Sequence, residues 1–338
     1  MSATPLERRA ILLLLLACVL WGVSFPLGKA LVLATEHANG RPLGVADAVA
    51  SNVLRYFLGA GLLLMVPGAR VRPTGDEWVH GAWLGFAVLT AVTLITVGVG
   101  QTDASVAAFL VQLGTVHVAG FACLERRKPP SRWLLAALVL ALSGAMVLSG
   151  ATPQNLRLGP GVGWILAATL FTALHILLVS WPKYRHNRPL PLTWAMFVCT
   201  GAFGLPVLAL SDGRQTAWST LTHGSTPALF LIVVVVSIFI PFWLMNAWQR
   251  HTTSLRATFL YMSEPIYATV AGAFLPGWMA RITGLPYANE TIGASLLAGG
   301  SLTLAANLLI ARSPEGRPHE PESPDAANPS GTIPGSDR

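Results

Sequence analysis

The 338 residues are 53% hydrophobic and only 11% charged, against roughly a quarter charged in an ordinary soluble domain. That balance excludes a water-soluble helical protein, whose helices would show polar faces at 3.6-residue spacing. The net charge of +7 is spread over short loops and forms no basic patch with interleaved aromatics, which excludes nucleic acid as a partner.

About 20 helical residues cross the ~30 Å hydrocarbon core of a bilayer. Runs of that length lie at 10–33, 45–67, 78–99, 103–124, 131–150, 160–182, 190–211, 226–247, 254–276 and 290–311, which predicts ten spans. The first begins ERRAILLLLLAC, the pattern of a lipoprotein signal ending at Cys18. Its apolar run continues to residue 34, so cleavage would leave a chain starting inside a span, and span one is read as retained.

Span one contains WGVSFP and then Lys29. Trp21 and Phe25 are aromatic walls or packing residues, and Pro26, lacking an N–H, frees the carbonyl of Gly22. Lys29, near the expected outer end, either snorkels to the headgroups or meets an anionic group there. Span two carries Arg55 on a stripe with Ala48, Asn52 and Gly59. Gly81 and Gly85 of span three form a GxxxG, a signal for close helix packing.

Span four pairs Gln112 with Thr115 on one face. His117 there and His175 in span six are expected as neutral histidines bonded across helices, with proton relay as the functional alternative, retained for His175. Cys18, Cys123 and Cys199 each stand alone in apolar sequence, a pattern of buried packing rather than of a disulfide or metal site.

Span nine holds Glu264, the only carboxylate in the interior of any predicted span, next to Pro265. An ionised carboxylate near mid-bilayer costs at least ~2.5–3.5 kcal/mol on insertion scales, so it should face the bundle interior, paired or protonated. A continuous helix would align Tyr261, Glu264, Tyr267, Ala268 and Ala271 as one wall, with Pro265 freeing the carbonyl of Tyr261. Three readings stay open for Glu264: a substrate or proton site, an ion pair with Arg55 that clamps two helices, and an inert, partly exposed position.

With the N-terminus inside, sixteen Lys and Arg lie in inner segments and four in outer ones, the remaining two being Lys29 and Arg55. Basic loops stay cytoplasmic, so both termini are expected there. The tail 313–338, rich in Pro, Ser, Gly and acid, is expected to be disordered.

QTDASVAAFL at 101–110 matches HTTSLRATFL at 251–260 at an offset of 150, and the same offset lays ACVLW over AATLF. Two five-span repeats, 10–150 and 160–311, follow, with residues 1–9 as an inner N-terminus. An odd span count inverts the second copy. Inverted repeats place a binding site near the bilayer midplane and open it alternately to each side.

LWGVSFPLGK, NVLRYFLGAGLLL, DASVAAFLVQLGTVHVAGFACLERRKPP and SLRATFLYMSEPIYATVAGAFLPG together resemble the drug/metabolite transporter superfamily, in particular its EamA-type ten-span exporters. The resemblance implies an all-α integral membrane protein of the bacterial inner membrane. One departure is that the Gly-Glu pair usual after span nine is replaced by PGW and an insert, MARITGLPYAN; the first copy keeps Glu125.

No metalloprotease, nucleophile-elbow, Walker or prenyl-transfer motif is present. Ser149 with His175 lacks the glycine of an intramembrane serine protease, so the chain is not read as an enzyme. The expected function is secondary or facilitative export of a small metabolite such as an amino acid, with no cofactor, as a monomer or homodimer in contact with lipid. Glu264, Tyr261, Tyr267, Trp21, Phe25, Lys29, Gln112 and Arg55 are the candidate substrate residues, and Glu264 and His175 the candidates for proton coupling. The alternatives are a proton-coupled exporter of cationic drugs, a sugar-phosphate exchanger using Lys29 and Arg55, and a non-transporting sensor or scaffold.

Overall fold

The computed structural model describes residues 5–67, 70–127, 129–149, 159–179, 181–184, 186–251 and 260–312. The tail, most of the second repeat match (252–259) and the Glu125 side chain lie outside the described residues.

Every regular element among the described residues is helical. Span one is α1 (Pro5–Asn39), two is α2 (Val45–Leu63) and three is α3 (Gly75–Gly100). Span four divides into α4 (Ala104–Val111) and α5 (Gly114–Arg126), and α6 (Arg132–Leu148) is span five. Spans six and seven are α7 (Pro160–Val179) and α8 (Pro189–Leu210). A short helix absent from the sequence reading, α9 (Gly213–Thr222), precedes span eight, which is α10 (Thr226–Val233), a π-helical turn (Val234–Phe239) and α11 (Ile240–Trp248). Span nine ends in α12 (Glu264–Thr283), and α13 (Ala294–Arg312) is span ten.

Local chemistry sets these boundaries. Thr74 and Glu77 form a capping box on α3, and the Ser131 hydroxyl accepts from the Leu134 N–H at the start of α6. Prolines occupy the first turn of α8, α10 and α12, where a missing N–H costs nothing; Pro241 of α11 instead follows the π-helical turn directly and lies inside span eight. Gly284 stops α12 in the left-handed region.

Among the described residues six helical stretches are long and apolar enough to cross a membrane: Pro5–Asn39, Gly75–Gly100, Ala104–Phe121, Pro160–Val179, Pro189–Leu210 and Thr226–Met245. Large apolar side chains such as Trp83, Val139, Phe274 and Leu297 stand exposed along these and the neighbouring spans, the surface a lipid solvent requires. The chain is an all-α integral membrane fold of ten spans.

Among the described residues the closest pairings are two with seven, five with ten, three with six, one with eight, three with seven, one with nine and four with six. Exchanging every span for the one five places away returns all of these except three with seven, whose counterpart, two with eight, is looser and no closer than two with three; the rest is the pattern of two repeats related by a pseudo-two-fold axis. The GxxxG of span three does pack closely: a Cβ on Gly81 would come within 2.9 Å of the Ala195 Cβ, and one on Gly85 within 2.9 Å of the Thr200 nitrogen.

Three expectations change. Span one does not end near residue 33 but runs to Asn39, and at ~1.5 Å per residue its ~52 Å exceeds the hydrocarbon thickness, so its last turns project beyond it. Span nine likewise continues to Thr283 instead of ending near 276. Nor is span nine a continuous helix through Glu264: it breaks at Met262 and Ser263, and Glu264 opens α12.

Candidate functional site

Glu264 sits at a helix break held against span one. Ser263 donates its N–H to the Leu260 carbonyl at 3.0 Å and Ile266 donates to Ser263 at 3.0 Å, so the α-helical ladder is interrupted there. Pro265, with no N–H to give, is part of the reason. The Glu264 carboxylate therefore belongs to the first turn of α12, where the positive end of the helix dipole favours its charge. The wall expected from Tyr261 through Ala271 is correspondingly split, with Tyr261 before the break and Glu264, Tyr267, Ala268 and Ala271 after it.

Gly22 makes this approach possible. A Cβ at Gly22 would lie 2.6 Å from the Tyr267 Cβ and 2.7 Å from the Glu264 carbonyl oxygen, so only glycine lets the two backbones meet. Gly22 is near the middle of span one, which puts the Glu264 turn at mid-membrane depth.

Around this turn, the Cys18 thiol lies beside the Ser263 side chain, whose hydroxyl donates to the Leu260 carbonyl at 2.5 Å. The Trp21 ring lies 6.0 Å from Tyr261 and 5.6 Å from Phe242, centroid to centroid, edge to face. Its indole Nε1 donates to the Ser237 carbonyl at 3.1 Å. Pro241 stands four residues beyond Ser237 and has no N–H to offer back along span eight. The Tyr261 hydroxyl donates to Gln249 Oε1 at 2.9 Å. Trp21, Tyr261, Glu264 and Tyr267 are thus brought together.

The carboxylate itself has no ion-pair partner among the described residues; the ion pairs there are Lys29–Asp103, Arg41–Asp47 and Arg188–Glu77. The Arg55–Glu264 clamp is absent from that set. Arg55, only 9% exposed, instead hydrogen-bonds to Asn52 and, at 3.0 Å, to Thr96 Oγ1.

The other candidates stand elsewhere. Phe25 is packed in a core with Phe109 and Ala268. Lys29 donates to the Thr102 carbonyl at 2.8 Å, approaches Asp103 at 3.5 Å and lies 5.5 Å over the Tyr287 ring. Gln112 lies at the break of span four, where its carbonyl accepts from Thr115 Oγ1 at 2.9 Å. The side-chain amide of Asn307 lies 2.5 Å from Thr115 Oγ1. His117 Nδ1 is 3.3 Å from Thr169 Oγ1 across spans four and six. His175 lies in the neighbourhood of His80 on span three, and His80 reaches the Leu178 carbonyl at 2.8 Å and stacks on Tyr184.

Two features escaped the sequence reading. Phe242 and Ser237 join the Trp21 side, and the Pro241 of span eight was the available signal. The insert after span nine folds back along α12: Gly277 N–H donates to Asn289 Oδ1 at 2.6 Å and Glu290 N–H to the Gly272 carbonyl at 2.9 Å. Glu290 then accepts from the Ala104 N–H at 2.6 Å, the Ser105 N–H at 3.0 Å and the Ser105 hydroxyl at 2.6 Å, capping α4. Burial, then the nearby Glu290 and Asp103 carboxylates, raise the Tyr287 phenol above its usual range.

Among the described residues no group of three or more His, Cys, Asp or Glu side chains could hold a metal ion. The three cysteines are free, with Cys18 and Cys123 buried and Cys199 half-buried.

Residues 8–150 match the model of the EamA-like transporter family. An uncharacterized transporter of Archaeoglobus fulgidus is 26% identical over 297 residues, covering 87% of this chain and 98% of the relative. A crystal structure of a protein 14% identical in sequence superposes with a TM-score of 0.52 over 88% of this chain and 97% of the other, a likeness of fold alone.

Proposed function

We propose that this chain, a member of the drug/metabolite transporter superfamily, is a secondary or facilitative transporter that exports small metabolites such as amino acids by alternating access. The observation that carries the reading is the Glu264 carboxylate, half-buried and without a charged partner among the described residues, on the broken span nine where it meets Gly22. Broken helices at mid-membrane are where transporters of this build bind their substrates. Glu264 takes the substrate ammonium group, and Trp21, Tyr261 and Tyr267 flank its apolar body.

A polar contact between the repeats at the outer end supports alternating access: Glu290, in the insert of the second repeat, accepts from the first N–H groups of α4 in the first. Such a contact is weak enough to break and remake as one half rocks on the other. The excess of Lys and Arg in inner segments supports an orientation with both termini cytoplasmic, in the bacterial inner membrane.

The test is uptake of labelled amino acids into proteoliposomes, with and without a pH gradient, by the wild type and Glu264→Gln. Transport lost in Glu264→Gln with unfolding unchanged supports the assignment; transport retained removes it. An uncompensated carboxylate beside Trp21 and Tyr261 also suits an organic cation, the second reading. Tetraphenylphosphonium in the same vesicles separates the two, because a cation exporter moves it and an amino-acid exporter does not.

A further inference from the structure

Arg55 lies on α2 against α3, and its surroundings are unusual for a buried charge. One terminal nitrogen, Nη2, supplies both of its protein hydrogen bonds, to Asn52 Oδ1 and to Thr96 Oγ1. Both acceptors are neutral and both are themselves held: Asn52 Nδ2 donates to Thr93 Oγ1 at 3.2 Å, and Thr96 Oγ1 donates to the Val92 carbonyl at 2.7 Å. Nε is buried with no acceptor, and no carboxylate is in ion-pair range among the described residues.

A guanidinium stays protonated at any physiological pH and presents five N–H donors. Buried without a counter-ion, it carries a desolvation penalty that two neutral hydrogen bonds do not repay. Lys29 makes the contrast, since its ammonium group already has a carbonyl, a carboxylate and an aromatic face. Arg55 is the cation with donors left over.

We propose that Arg55, with its guanidinium held by Asn52 and Thr96, is an anion subsite that takes the carboxylate of the transported molecule. This deepens the reading of the chain as a transporter of zwitterionic metabolites and rests on it. Glu264 supplies the negative pole and Arg55 the positive one, and a substrate lacking a carboxylate leaves the guanidinium uncompensated. Amines without an acid group therefore forgo the stabilisation that a carboxylate gains there.

The full chain in lipid nanodiscs tests this by thermal unfolding while sodium formate replaces sodium gluconate, too bulky for a buried site, at constant ionic strength. A ligand that binds the folded state alone raises the unfolding temperature in a saturable way. The wild type is expected to show that rise with formate and with acetate, and none with methylammonium chloride over sodium chloride. Arg55→Gln is expected to lose the response. Asn52→Asp, which places a carboxylate against the guanidinium from within the protein, is expected to unfold at higher temperature without formate and to lose the response as well, so the proposal does not depend on Arg55→Gln folding.

No response in the wild type, or an equal response in both variants, overturns the proposal. A missing formate response with Glu264-dependent amino-acid transport intact removes Arg55 alone. A formate response that depends on Arg55, in a chain that moves no amino acid, retains the anion subsite and removes the zwitterion reading.

Discussion

Leu113 and Ser263 stand 150 positions apart and make the same bond, each donating its backbone N–H at 3.0 Å to a leucine carbonyl three residues earlier, Leu110 and Leu260. Val116 and Ile266, again 150 apart, then donate to Leu113 and Ser263, both at 3.0 Å. Spans four and nine are therefore broken at equivalent points. The span pairs repeat as well: Gly114, the counterpart of Glu264, faces Thr172, the counterpart of Gly22, with a Cβ position 3.5 Å from the Thr172 methyl group. Only one of the two crossings carries a carboxylate.

The first break forms without a proline, because Thr115 occupies the place of Pro265 and donates its N–H to the Gln112 carbonyl at 3.2 Å. Pro265→Ala is accordingly expected to keep the break and to lose only about 0.4–1 kcal/mol, through the freer unfolded chain. Denaturant unfolding in mixed micelles measures this; a loss several times larger means that the proline itself enforces the break.

Gly22→Ala brings a methyl group to 2.6 Å from the Tyr267 Cβ and 2.7 Å from a backbone oxygen. Neither can swing away, so the helices must part, at an expected cost of about 1–3 kcal/mol. Gly28, six residues on, has nothing within 4 Å of a Cβ position, and Gly28→Ala should gain about 0.5–1 kcal/mol of helix stability. Thermal unfolding of the two variants side by side checks both signs.

Glu290→Ala leaves the Ala104 and Ser105 N–H groups and the Ser105 hydroxyl without the acceptor they share. Ser105 is 1% exposed, so water replaces the carboxylate poorly, and the expected loss is about 2 kcal/mol. Hydrogen exchange should quicken at those two amides, and Glu290→Gln should fall between the wild type and the alanine variant.

At the inner end, Glu77 is 1% exposed and accepts from Arg188 Nε at 2.8 Å and Nη2 at 2.7 Å. The Arg188 side chain is itself 44% exposed, but Glu77 is buried, and removing its partner leaves a buried charge uncompensated, which is worse than removing the charge of both. Arg188→Ala should lower the unfolding temperature more than Arg188→Ala combined with Glu77→Gln, and the reverse order would show that the pair is too solvated to matter.

The number of spans, the odd repeat and the chemical oddity of Glu264 were all legible in the sequence. Each follows from a signal carried along the chain: apolar run length, an offset of 150, and a charge where none is expected. The helix ends at Asn39 and Thr283 were misplaced because a hydrophobic run records contact with lipid and not where a helix stops: Asn39 is held by Thr216 and Ser219 of α9, and α12 runs on until Gly284.

The partners of the charges were not legible. Glu264 and Arg55 suggested a bridge because each is a buried ion in need of a counter-charge, yet Arg55 turned to Asn52 and Thr96, one on its own helix and one on the next. Glu290 stands in the sequence as the first residue of the predicted span ten, and only the fold-back of the insert to Gly272 places it on the first N–H groups of α4. The sequence by itself determined which residues could not be solvated cheaply in lipid, since that cost belongs to the side chain. Only the tertiary structure decided what each of them meets, since hydrogen bonds and ion pairs act over a few ångströms and depend on which spans cross, and where.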